Sequence, residues 1–205
     1  MSIDESNKSI IVRFIFYTLI VFGLTSLLPA IVVNEDIKAF KENGPIEWFQ
    51  LCLITATSLL FYYRSRISNT RELYYLISLI AAVAVSREMD SLLFDIFPKI
   101  GWKLPVIILV FLIFKLCKQK HFILSTQMND FLGSRVFSLL WCGFIVAVPF
   151  AQLVGHGDFL KSLMGDDYDR GYKRVIEETG ELMGYLILFV GSIEAIIQDK
   201  FRIKS

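Results

Sequence analysis

A chain of 205 residues in which 55% are apolar and only 20% charged, with a mean hydropathy of +0.56, is too oily for a water-soluble fold of its size. A formal charge of +1 excludes a global basic field for nucleic acid and an acidic tail, so the information lies in where the charges stand. The composition describes an all-α, polytopic transmembrane bundle forming a single domain over 1–205.

Crossing a hydrocarbon layer of ~30 Å takes about 20 helical residues, and windows of that length predict six spans, at about 10–33, 46–63, 73–96, 102–117, 136–155 and 175–198. The first has an apolar stretch longer than a signal-peptide core and no A-x-A site after it, so it reads as an uncleaved anchor. The second begins at ENGPIEWFQ. Its Asn43-Gly44 turn leads to Pro45 at the first helical position, which puts Glu47 in the first turn and Gln50 one turn further on the same face. The third opens with LYYLISLIAAVAV and then meets SREMDSLLFD, an arginine and three acids before the span has reached water. The fourth is short, bounded by Trp102 and Lys103 on one side and by Lys115 and Lys118 on the other. It is taken as a span, with a re-entrant segment as the alternative.

QKHFILSTQMNDFLGSR follows, with Phe122, Ile123, Phe131 and Leu132 set against polar residues, and reads as a helix lying on the bilayer surface. After the fifth span, GDFLKSLMGDDYDRGYK places Phe159, Leu160, Leu163 and Met164 on one helical face, a second surface helix able to act as a lid. The sixth span begins at RVIEETGELMGY, with Glu177 and Glu181 at i, i+4. Glu181 stands between Gly180 and Gly184, whose small side chains admit a neighbouring helix. The two halves share no motif, which argues against a transporter built from inverted repeats.

Lysines and arginines flanking the spans set the orientation. With the N-terminus inside, the inner side collects Lys8, Arg13, Arg64, Arg66, Arg71, Lys115, Lys118, Lys120, Arg135, Lys200, Arg202 and Lys204. The outer side collects Lys38, Lys41, Lys99, Lys103, Lys161, Arg170, Lys173 and Arg174. The excess, concentrated in RSRISNTR and KLCKQK, places both termini in the cytoplasm.

Arg87 then follows Leu73 by fourteen residues, about 21 Å of helical rise, so Arg87, Glu88 and Asp90 fall in the outer third of the membrane. Unpaired charge there costs several kcal/mol and demands a partner. Arg87 is expected to reach Asp90 at i, i+3 and leave Glu88 to another partner, while Glu47, Gln50, Glu177, Glu178 and Glu181 arrive at the same level. Like charges crowded at that depth cannot all stay ionised cheaply, and Glu181, the deepest, is the expected proton holder. Plainer readings stand beside this one. Glu47 can cap the amides of its helix, Glu177 and Glu178 can pair with Lys173 and Arg174, and the whole cluster can be an inter-helix ion network.

Other chemistries find little support. His121 and His156 stand on opposite sides, and Cys52, Cys117 and Cys142 give no disulfide framework. No phosphate-binding glycine loop or G-x-S-x-G elbow is present, and Arg87 argues against a dedicated cation cage, so no cofactor, metal or catalytic residue is assigned. Three functions remain. The first is a polar cavity binding a small polar solute, ion or lipid headgroup for permeation or sensing. The second is a membrane enzyme on a lipid-like substrate, with a carboxylate as acid or base and only Ser86, Ser91 and Tyr185 as nearby hydroxyls. The third is a non-catalytic scaffold subunit. Expected partners are the lipid bilayer, such a ligand or headgroup, and a second copy or a membrane complex, with no nucleic acid.

The order ENGPIEW, SREMD, GWK and GDDYDRGYKRVIEETGELMGY, from Glu42 to Glu194, resembles a group of small, uncharacterised bacterial six-span integral membrane proteins carrying E-(D/N)-G-x-x-E-W, R-E-x-D and E-E-x-x-E-L-x-G-Y elements. The resemblance implies a bacterial inner-membrane location. It also implies that Glu47, Arg87, Glu88, Asp90, Glu177, Glu178 and Glu181 form one recurring site. It implies no activity.

Overall fold

The computed structural model describes the backbone of residues 3–35, 39–41 and 43–202 and the side chains of 7–31, 39–41 and 43–198. The side chains of Lys38, Lys200, Arg202 and Lys204, which enter the charge argument, lie outside the described residues. Those that are described form an all-helical bundle. Three of its helices are long and apolar enough to cross a membrane, over Asn7–Ile31, Arg135–Val154 and Arg170–Gln198.

The chain opens with α1 (Ile3–Ser26) and α2 (Leu28–Glu35). Helix α3 (Pro45–Ile67) starts where the sequence places it. Asn43 takes a left-handed φ of 61°, and a Cβ on Gly44 would lie 2.6 Å from the carbonyl oxygens of Ala39 and Lys41. Pro45 then supplies the fixed φ of a first helical residue.

The expected third span is two helices, α4 (Arg71–Glu88) and α5 (Asp90–Ile96), parted at Met89 by a backbone of φ −89° and ψ 17°. No proline or glycine marks the break. The fourth expected span and the surface helix after it are one 30-residue helix, α6 (Lys103–Leu132), bent at Lys120, where φ is −119° and ψ 18°. Its second half does not lie with one apolar face outward: Phe131 and Leu124 join the core, whereas Phe122 is 80% exposed. Ser134 caps α7 (Arg135–Ile145) by accepting from the Phe137 amide at 3.1 Å.

A π-helical turn over Val146–Phe150, holding Pro149, joins α7 to α8 (Ala151–Val154). The second expected surface helix is α9 (Gly157–Met164), which buries Leu160 and leaves Phe159 and Leu163 exposed. Helix α10 (Arg170–Arg202) closes the chain.

Packing runs α6 on α4, α4 on α3, α3 on α10 and α10 on α7, with α1 laid against α10. One core gathers Phe40, Ile54, Leu182 and Leu186; the other gathers Phe61, Leu73, Tyr74, Phe131 and Val136. Gly180 and Gly184 do what their spacing suggests. A Cβ on Gly184 would sit 2.4 Å from the backbone nitrogen of Ala147, and one on Gly180 would sit 3.0 Å from the Ala151 Cβ, so α10 and the α7–α8 segment touch backbone to backbone. The outside is apolar: Ile11, Phe16 and Phe22 of α1 and Ile107, Phe111 and Phe114 of α6 are all exposed. Apolar surface without and polar groups within suit a protein whose surroundings are hydrocarbon.

Candidate functional site: a charged cavity at one end of the bundle

The first turns of α3 and α10 meet the last turn of α4 and the start of α5 around a cavity of about 820 Å³. Six carboxylates line it, those of Glu47, Glu88, Asp90, Glu177, Glu178 and Glu181. Five cations do so as well: Lys41, Arg87, Arg170, Lys173 and Arg174. Every charged residue expected in the cluster is therefore at its wall. Gln50 stands behind it, fully buried.

Each carboxylate has its own setting. Glu47 accepts from the Asn43 amide at 2.5 Å, so it steadies the turn before its own helix while still lining the cavity. Ser91 ties the same turn to α5 by donating to Asn43 Oδ1 at 2.8 Å. Arg87 does not pair with Asp90. The break at Met89 removes the i, i+3 geometry, and Arg87 Nη2 donates instead to Glu181 Oε1 at 3.1 Å, with Nε 4.0 Å from Glu88. Asp90 is left exposed. Glu181, expected to be the proton holder, is thus the carboxylate nearest the guanidinium.

Glu88 does find another partner, the Tyr185 hydroxyl, which donates to it at 2.6 Å. Glu177 pairs with Lys173 at 3.6 Å, as the plainer reading has it. Glu178 is held from behind, since Gln50 Nε2 donates to its carbonyl at 2.9 Å and to its Oε2 at 3.1 Å. That leaves Gln50 Oε1 buried and without a hydrogen-bond partner among the described residues, a cost of ~1–3 kcal/mol borne at the cavity wall.

The basic rim is what sequence reasoning missed as part of the site. Arg170, Lys173 and Arg174 stand one to two turns before Glu177 and Glu178, and the side that α10 turns toward α4 brings them to the same opening. His156 is exposed and is not at this wall. Chemically, the cavity offers carboxylates to a cationic group and guanidinium and ammonium groups to an anionic one, within a single opening.

A second charged cluster was not anticipated. Glu194, near the other end of α10 and fully buried, accepts from Arg13 Nε and Nη2, both at 3.2 Å, and from the Tyr17 hydroxyl at 2.9 Å. Arg135 Nη1 lies 3.7 Å from it. This forked pair joins α1, α7 and α10. The sequence did hold a signal for it, an arginine and a glutamate each placed inside an apolar run.

No family model, curated protein or solved structure matches this chain.

Proposed function

We propose that the protein is a multi-pass protein of the bacterial inner membrane, with six spans and both termini in the cytoplasm. Its charged cavity, open in the outer leaflet, binds a small polar ligand carrying both signs of charge, a solute or a lipid headgroup, for permeation or sensing. One observation carries the reading: acids and cations from α3, α4, α5 and α10 face a common space of about 820 Å³, within the ordinary size of a ligand site.

Of the three nearby hydroxyls, Ser86 donates to the Ala82 carbonyl at 3.0 Å and Ser91 to Asn43, which leaves Tyr185, donating to Glu88, as the one paired with a carboxylate of the cavity wall. Six spans are supported by α3, by α4 with α5, and by α6. All are helical at the expected places, and all carry exposed apolar side chains.

The test is thermal unfolding of the purified protein in neutral detergent with phosphoethanolamine, and with ethanolamine and inorganic phosphate separately. Saturating phosphoethanolamine should stabilise the protein by ~2–3 kcal/mol, the single-charge halves by much less, and Arg87→Gln and Glu178→Gln should each abolish the shift. A protein indifferent to all three compounds sinks the amphoteric-ligand reading. Topology has its own test, in a chain with the native cysteines replaced. Asp166→Cys should react with an impermeant thiol reagent on intact cells and Asn69→Cys only after permeabilisation. The reverse pattern inverts the protein in its membrane.

A further inference from the structure

At the opposite end of the bundle from the charged cavity, α3, α4 and α6 enclose a second opening of about 420 Å³ whose charge balance differs in kind. Three cations line it, Arg66 of α3, Arg71 of α4 and Lys120 of α6, against the single carboxylate of Glu72. None of the three cations is ion-paired among the described residues. Glu72 is turned to another use, accepting from Gln127 Nε2 at 3.4 Å. Arg66 lies over the Tyr62 ring, 4.8 Å from its centroid, and donates to the Tyr62 hydroxyl, so its guanidinium is held at the wall. Helix α4 begins in this wall, adding the positive end of its dipole, and α6 bends at Lys120 itself.

We propose that this opening is a binding site for the phosphate of an anionic phospholipid. Three unneutralised cations contributed by three helices call for an anion, and their fork-shaped and point donors suit phosphate oxygens. The lipid, as against free phosphate, is indicated by the rest of the wall and its borders. Tyr62 and Tyr75 are the amphipathic rings that settle at headgroup level. Leu116 lines the cavity, and Phe114 of the same helix, further from the helix end than Lys120, is exposed where an acyl chain would lie. The site does not depend on the charged cavity or on its ligand.

The experiment is native mass spectrometry of the delipidated full chain in neutral detergent, titrated with phosphatidylglycerol and with phosphatidylcholine. Phosphatidylglycerol should bind at least severalfold more tightly. Each of Arg66→Gln, Arg71→Gln and Lys120→Gln should weaken that preference about fivefold, and the triple variant should lose it. Lys118→Gln, an exposed neighbour outside the opening, should keep it. Equal binding of the two lipids by the unaltered protein overturns the proposal, as does a preference surviving in the triple variant. Displacement of the lipid by millimolar inorganic phosphate overturns its identification as a lipid site.

Discussion

The two ends of α10 treat buried charge in opposite ways. Around Glu194 one carboxylate, out of contact with solvent, meets two guanidiniums and a tyrosine hydroxyl. Around Glu181 carboxylates outnumber cations, and the arginine that serves them has a side chain 48% exposed, within an open cavity. Charge in an oily bundle is thus structural where a lone buried carboxylate is met by an excess of donors. It is free for a ligand where the shell is open and the charges are left over.

The sharpest way to break that contrast is Glu194→Gln. It leaves Arg13 and Arg135 facing a neutral amide and weakens the polar tie between α1 and α10. The expected loss is about 3–5 kcal/mol, read from thermal or denaturant unfolding in detergent. Stability equal to the unaltered protein would show that the two ends do not differ. Gly184→Ala comes next. Its methyl group would meet the Ala147 backbone at 2.4 Å and should cost ~1–3 kcal/mol, whereas Gly23→Ala, with open space around it, should fall within about 0.5 kcal/mol of the original. A smaller change than for Glu194→Gln or Gly184→Ala is expected for Arg87→Gln, under ~1 kcal/mol because its guanidinium is half exposed in an open cavity where water can take its place. If that variant unfolds as readily as Glu194→Gln, the cavity is a dry ion network and the scaffold reading replaces ligand binding.

Features with local causes are legible in the sequence, and features that depend on distant packing are not. Helix positions follow from length and apolarity, and the turn before α3 follows from Asn43, Gly44 and Pro45, whose conformational preferences are local. Convergence of Glu47, Arg87, Glu88, Glu178 and Glu181 is visible because charge inside an apolar run has few places to go. Three features are hidden. The break at Met89 has no backbone signal, since neither proline nor glycine stands there, and it undoes the expected pairing of Arg87 with Asp90. Arg170, Lys173 and Arg174 look like ordinary flanking cations, because their facing depends on which side α10 presents to α4. The Glu194 knot spans 181 residues of sequence, and only tertiary packing brings its members together.

The π-helical turn between α7 and α8 bears on how long a four-residue spacing can stay on one face. Gly143, Ala147, Ala151 and Gly155 recur every fourth residue, and in an unbroken α-helix each such step drifts by ~40°, so the last would face about 120° away from the first. At Val146–Phe150 the Ala151 amide reaches back five residues to the Val146 carbonyl, and the wider turn takes up much of that drift. It also makes room for Pro149, whose ring would crowd a regular helix. All four small residues therefore keep the phase needed to meet α10, the last of them so closely that a Cβ on Gly155 would lie 2.8 Å from the Cβ of Glu177. Deleting one residue from this turn would close it into a regular α-helix in which Gly155, then eleven residues from Gly143, still falls within about 20° of the same face, so the turn is one extra residue absorbed without disturbing the approach to a carboxylate-bearing residue of the charged cavity.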